Sequence, residues 1–364
     1  MGRRIAVLLH HGLGDVIMSH KLIRNLESYF SEDRVTLIVK SGTEKKFLDL
    51  LDLNDNVNIV VLNYTGTFKS KVSVMLRFLS LGLKKFDLLL AAHSSNKRLG
   101  NIFSVLINAK ISIGPKSGKY YNATAENRNQ HKQEYYMSFL ETYWKEFESD
   151  RKYQILEQQP IQLLVRDFPS KYSSIIQGDY LIISPGTSPF DTHKRWSKEN
   201  YISLIQEILE GYNHKIILLG TKSDNEVLNS IYGTFEENNR VQIINDLSIK
   251  HAMYFMSKSN VIISACTSSL HMAALVDASM VSIYGPTNYS VTGPVSLKNR
   301  IVRMGYACSP CFRDSFQSGC GTPRCMTDIT VSSVCDAVQK SLENEPCPNY
   351  PSIETTNAKK FLAT

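Results

Sequence analysis

Short apolar runs, many of them β-branched, recur along the chain, and between them apolar positions recur at helical spacing. Arg4–His10 (RIAVLLH) reads as a buried strand, and Val16–Phe30 carries apolar residues at 16, 22, 23, 26, 29 and 30, the spacing of one helix face. Further strands are predicted at Val35–Val39, Val57–Leu62, Leu88–Ala92 and Lys110–Ile113, separated by helical stretches around 43–51, 69–84, 98–108 and 131–148. Alternation of this kind specifies a parallel sheet with helices on both faces, a doubly wound α/β domain. The segment 114–130 (GPKSGKYYNATAENRNQ) is polar and reads as a long exposed loop, placed to close over an acceptor.

From about 151 to 176 the periodicity weakens, with Pro160 and Pro169 interrupting it, and a hinge is expected there. The pattern then restarts. Strands are predicted at Tyr180–Ser184, Lys215–Leu219 and Val241–Ile244, and helices at Lys198–Leu209, Ser223–Phe235 and Ile249–Met256. The stretch Val261–Asn288 follows as a strand, a polar loop, a helix (Thr267–Val276) and a second strand (Met280–Tyr284). A last helix near Val331–Leu342 precedes a Pro-, Asn- and Thr-rich tail, 344–364, that reads as disordered. Two domains are therefore expected, 1–165 and 176–343, the second carrying a Cys-rich loop at 305–328.

Composition sharpens this picture in three ways. With 43% hydrophobic and 21% charged residues the chain is globular, and no segment approaches the charge-free apolar run of about 20 residues needed to span a bilayer. The basic and apolar start runs straight into a Gly-containing turn without a small-residue cleavage site, so it reads as a strand and the expected compartment is the cytoplasm. The seven cysteines then read as thiols or metal ligands. The net charge of +7 is uneven: residues 1–130 hold 19 Lys/Arg against 10 Asp/Glu, the remainder 22 against 24. A basic first domain suits an acidic acceptor or an anionic membrane surface. Nucleic acid is disfavoured, because the basic residues are scattered and no recognition motif is present.

Three loops offer chemistry. His10-His11-Gly12-Leu13-Gly14-Asp15 has the first two glycines of a dinucleotide fingerprint, but Ile17 stands where the third belongs and Lys40 ends the second strand where a ribose-binding carboxylate is needed. Both departures argue against a nicotinamide enzyme. Asp15 at the mouth of the sheet is either a general base or a helix cap. The loop Ser184–Trp196 offers the hydroxyls of Thr187 and Ser188 and the cations Lys194 and Arg195, a set that suits a pyrophosphate, or else a solvated turn anchored by Trp196. In Gly220–Asp224, Asp224 is a cap or an acceptor for ribose hydroxyls. Thr267, Ser268 and Ser269 fall at a helix N-terminus, where unpaired amides and the helix dipole favour a phosphate, unless a hydroxyl caps them.

Taken together, LGD (Leu13–Asp15), PGTS…HKRW (Pro185–Trp196), LLGTKSD (Leu218–Asp224), TSSLHMAAL (Thr267–Leu275), YGPTN (Tyr284–Asn288) and a CSPCF…CM segment resemble the bacterial heptosyltransferases of glycosyltransferase family 9. The resemblance spans most of the chain. It implies a GT-B fold, two Rossmann-like domains facing a central cleft, the first taking the acceptor and the second the nucleotide-sugar. It implies an inverting transfer that needs no metal. Carried onto this sequence, Asp15 is the base, Lys194 contacts the donor phosphates, Asp224 the donor ribose, and Thr267, Ser268 and Ser269 the diphosphate. His271 occupies the family's histidine position, or is a packed core histidine.

Two departures from the family pattern matter. Cys266-Thr267-Ser268 stands where the family reads Asp-Thr-Gly, so a sugar-facing carboxylate is replaced by a thiol. Cys308, Cys311, Cys320 and Cys325, spaced C-x2-C-x8-C-x4-C, are compatible with a structural zinc or iron site, a related adhesin-modifying branch being known for iron bound by cysteines. The expected function is transfer of heptose, or a related sugar, from an ADP-sugar to an anionic saccharide or glycolipid of the cell envelope such as lipopolysaccharide core, with peripheral inner-membrane contact. The rivals are a GT-B sugar-nucleotide epimerase or hydrolase and a non-catalytic nucleotide-sugar-binding protein.

Overall fold

A computed structural model describes residues 2–9, 12–65, 67–92, 102, 104–115, 120–125, 130–149, 153–188, 191–311, 320 and 323–347. The chain divides into two compact units, Met1–Gln159 and Pro160–Thr364. In the first, β1 (Arg4–Leu9), β2 (Arg34–Val39), β3 (Val57–Val61), β4 (Leu88–Leu90), β5 (Ile111–Pro115) and β6 (Ala123–Ala125) form one sheet in the order β3-β2-β1-β4-β5-β6. All its ladders are parallel. In the second, β7 (Tyr180–Ser184), β8 (Lys215–Leu219), β9 (Val241–Ile244), β10 (Val261–Ala265), β11 (Met280–Tyr284) and β12 (Asn299–Arg303) repeat the plan in the order β12-β11-β10-β7-β8-β9, again parallel.

The strands are apolar because helices cover both faces. In β1, Ile5 to Leu9 are all at 0% exposure, as are Tyr180 to Ile183 in β7. In each sheet the strand order reverses beside the founding strand: between β1 and β4 in one, between β7 and β10 in the other. Ligands of such sheets bind beyond the carboxyl ends of the strands at that reversal. The loops that leave β1, β7 and β10 are the ones carrying Asp15, Thr187 to Lys194, and Thr267 to Ser269.

Two local expectations are corrected. The helix predicted over Val16–Phe30 is two, Leu13–Met18 and His20–Tyr29. The break falls at Ser19, whose hydroxyl bonds back to the Asp15 carbonyl at 2.9 Å, a competition with the helix ladder that bends helices. Within the loop predicted at 114–130, residues 123–125 are β6, paired with β5. Gly114 permits this, since a Cβ there would lie 2.1 Å from the Tyr121 ring. The expected hinge region carries no regular element between 153 and 169. Leu156 exchanges hydrogen bonds with the Asn25 side chain in the first unit, and the Ile161 amide bonds the Leu275 carbonyl in the second. His10, His11, Pro189, Phe190, the middle of the Cys-rich loop (312–319) and the tail from 348 on lie outside the described residues.

Candidate active site

Asp15 sits in the first turn of helix Leu13–Met18, where the N-cap residue Gly12 is extended (φ −76°, ψ 169°) and no side chain caps the amides. Its carboxylate turns instead toward helix Lys132–Phe147. The Lys132 ammonium donates to Asp15 Oδ1 at 2.7 Å, and the Tyr136 hydroxyl donates to the same oxygen at 2.7 Å. Lys132 and Tyr136 are one helical turn apart, so one helix face presents both donors. That helix is fixed by Lys21, whose side chain is 5% exposed and pairs with Glu134 at 3.1 Å and Glu157 at 2.9 Å. Burial opposes the Lys21 charge, but the two carboxylates outweigh it and hold the ammonium above its ordinary range. Asp15 is 25% exposed at its side chain, reachable from solvent and held in one orientation.

In the second unit the loop after β7 turns on Gly186. A Cβ there would lie 2.4 Å from Asp224 Oδ1, so the glycine is what lets this loop lie against the loop after β8. Asp224 itself accepts from the Thr221 amide at 2.8 Å and the Thr221 hydroxyl at 2.7 Å, closing a capping box. The capping role of Asp224 is thus real, whatever else it contacts. Arg195 Nε donates to Thr187 Oγ1 at 2.7 Å, which commits that cation to the loop's own shape. Lys194 pairs with Asp191 at 3.2 Å, its side chain 11% exposed. Between them, burial holds the His193 imidazole below its ordinary range against the pull of Asp191. Trp196 closes the loop, 3% exposed, its indole N–H on the Ile329 carbonyl at 2.9 Å.

Beyond β10, helix Ser268–Leu275 begins at N-cap Thr267 without a side-chain capping bond. The nearby hydroxyls are engaged with the strand ends instead: Ser269 with Ser184 at 3.0 Å and Thr267 with Ser264 at 3.3 Å. Ser264 in turn donates to the Ser184 carbonyl at 2.8 Å. A helix N-terminus with no side-chain cap, at a sheet's reversal point, leaves amides and the positive end of the helix dipole where an anion is favoured. His271, 7% exposed, lies one helical turn beyond Thr267 and fits the packed reading as well as the ligand one. Cys266 is half-buried.

The Cys-rich segment packs beyond β11. Ser309 Oγ bonds the Gly285 carbonyl at 2.6 Å, the Cys311 amide the Pro286 carbonyl at 3.0 Å, and a Cβ on Gly285 would lie 2.4 Å from Met326 Sδ. Burial raises the Cys325 thiol above its ordinary range, and Cys311, Cys308 and Cys320 are near enough to add to that. Among the described residues no group of three or more His, Cys, Asp or Glu is placed to hold a metal ion.

The family model for glycosyltransferase family 9 (heptosyltransferase) matches residues 78–320. The chain belongs to this family. It is a glycosyltransferase, and its two doubly wound units are of the GT-B fold. Among its relatives is the lipooligosaccharide heptosyltransferase 2 of Campylobacter jejuni, 24% identical over 356 residues that cover 94% of this chain and 99% of that protein. Solved structures of similar fold include a family 9 glycosyl transferase from Veillonella parvula (TM-score 0.72, 18% identity, covering 94% of this chain and 98% of that one). Another is the E. coli ADP-heptose lps heptosyltransferase II (TM-score 0.68, 17% identity, covering 94% and 99%).

In this family 9 chain, reading the sequence missed the partners that hold Asp15. Lys132 and Tyr136 lie 117 and 121 positions away, inside an amphipathic helix where a cation and a phenol carry no local signal. Thr287, buried in the YGPTN turn, was named only as part of a motif. Its Oγ1 is buried with no hydrogen-bond partner among the described residues.

Proposed function

We propose that this glycosyltransferase moves heptose from ADP-heptose, with inversion at the anomeric carbon, to a saccharide of the lipopolysaccharide or lipooligosaccharide core. The relatives' names support the sugar and the acceptor class, and the basic first unit supports an anionic acceptor. In this reading Asp15 takes the proton of the acceptor hydroxyl as its oxygen attacks the anomeric carbon. The bond from that carbon to the diphosphate breaks on the opposite face, and ADP leaves with the electron pair. Lys132 and Tyr136 hold the carboxylate for that step. Lys194 and the amides after Thr267 take the charge that develops on the diphosphate, so no metal is needed; Thr187, Ser188 and Asp224 line the donor loops, and His271 supports the helix that ends in those amides.

The observation that carries this reading is the fixed Asp15 carboxylate at the first sheet's reversal point. It rests on two donors from one helix face, an investment in orientation that a solvated or capping aspartate does not need. The test is mass spectrometry of products from ADP-heptose with a heptose-free core acceptor, in EDTA, alongside donor alone. Product that gains one heptose only when acceptor is present supports transfer. Consumption of donor at the same rate without acceptor would instead make the protein a hydrolase or epimerase.

A further inference from the structure

Helix Phe68–Gly82 buries one face and exposes an apolar one opposite. Val74, Phe78 and Leu81 enter the core with Ala6, Leu8, Ile38 and Leu89. At about 100° per residue, the buried trio clusters around one direction, whereas Phe68, Val72, Met75, Leu76 and Leu79, with Leu83 just beyond the helix end, fall in a stripe centred roughly 150° away. That stripe is open to solvent: Phe68 is 81% exposed, Leu76 61%, Met75 52% and Leu83 84%. The adjoining segment, whose Leu106 carbonyl would lie 2.2 Å from a Cβ on Gly82, adds exposed Ile102 and Val105.

Charge identifies what covers it. No Asp or Glu occurs from 56 to 86, while Lys69, Lys71, Arg77, Lys84 and Lys85 are all exposed. On the helix, Lys69 and Lys71 fall on opposite flanks of the stripe. The first carboxylate beyond, Asp87, is taken up by Lys110 at 2.7 Å and by the Arg4 amide at 2.8 Å. A second copy docking through the same stripe would bring two cationic rims together, an unfavourable juxtaposition. An exposed aliphatic stripe flanked by lysine on both sides complements an anionic lipid surface, where the apolar side chains enter the headgroup boundary and the ammonium groups meet phosphates.

We infer that the Phe68–Leu83 stripe is a peripheral membrane-docking surface selective for anionic phospholipid. This goes beyond the proposed transfer reaction and stands without Asp15 or the donor loops, so its test reads binding alone. Full-length protein is floated with vesicles of phosphatidylcholine, with or without phosphatidylglycerol, and compared with Leu76→Glu/Leu79→Glu and Lys69→Glu/Lys71→Glu. Wild type is expected to bind the phosphatidylglycerol vesicles, with binding weakened by salt, and each double variant to bind them on the order of tenfold or more weakly. Every altered residue is exposed, so melting midpoints should be unchanged, and the lysine pair keeps the test sound if the leucine pair disturbs folding. Equal binding to neutral and anionic vesicles, or wild-type binding by both variants, overturns the inference. So does a wild-type dimer in solution that Leu76→Glu/Leu79→Glu dissociates, which would make the stripe a protein interface.

Discussion

Tyr136 and Lys132 meet on the same oxygen of Asp15, and their removal separates orientation from chemistry. Tyr136→Phe is expected to lower kcat by about fivefold with ADP affinity unchanged, since a positioning hydrogen bond is worth roughly 1 kcal/mol. A fall in ADP affinity instead would place Tyr136 in the donor site. At Gly186 the constraint is steric: an alanine Cβ would meet an Asp224 carboxylate already pinned by Thr221. Gly186→Ala is therefore expected to weaken ADP binding, measured by calorimetry, and an unchanged affinity would mean the two loops part at no cost. His20 carries a separate, acid-linked signature. Burial, then the nearby Arg24, push its pKa down to about 4, and neither ring nitrogen has a described partner. The unfolded chain takes up the proton near pH 6.5, before the folded one does, so stability is untouched above that value and is lost as pH falls from about 6.5 to 4. The loss approaches roughly 3 kcal/mol for this group. His20→Leu should flatten that part of the profile in chemical denaturation, and an unchanged slope would deny the assignment.

At the scale of elements, the helix after β10 gives opposing expectations for one substitution. Thr267→Asp supplies the missing cap and should raise stability by up to about 1 kcal/mol, while its charge at the diphosphate site should cost ADP affinity about tenfold. An ADP affinity that stays the same or rises would show that the amides are not the anion site. This element was legible in the sequence because strand, polar turn and apolar helix are local signals, each fixed within a few residues of Thr267. What was not legible follows from distance. The capping role of Asp224 could be read from its spacing to Thr221, but the choice between that and a ribose contact could not. The split of the first helix hangs on the Ser19 hydroxyl, and β6 exists because Gly114 admits Tyr121; both are decided by packing that periodicity does not encode.

For the whole molecule, each sheet places its candidate loops at the point where the strand order reverses, and the apolar runs of the sequence sufficed to predict five of the six strands in each sheet, β6 and β12 being the ones not predicted. The family resemblance carried the roles of Asp15 and Lys194. The pairing of Asp15 with Lys132 belongs to the fold, since no local pattern joins positions that far apart. Cys266 is one position where the family resemblance leads to the expectation of a carboxylate and this chain has a thiol. Cys266→Asp is expected to raise selectivity for ADP-heptose over other ADP-sugars by roughly tenfold, because a carboxylate accepts charge-assisted hydrogen bonds from sugar hydroxyls that a thiol does not. Equal selectivity in both forms would show that the position does not face the sugar. The most direct measurement is steady-state transfer by Asp15→Asn, with ADP affinity and melting midpoint determined on the same protein. The account expects kcat to fall on the order of 10²–10⁴-fold, with ADP affinity nearly intact and stability lowered by about 1 kcal/mol or less. Near-normal turnover would contradict it and leave Asp15 a structural partner of Lys132 and Tyr136.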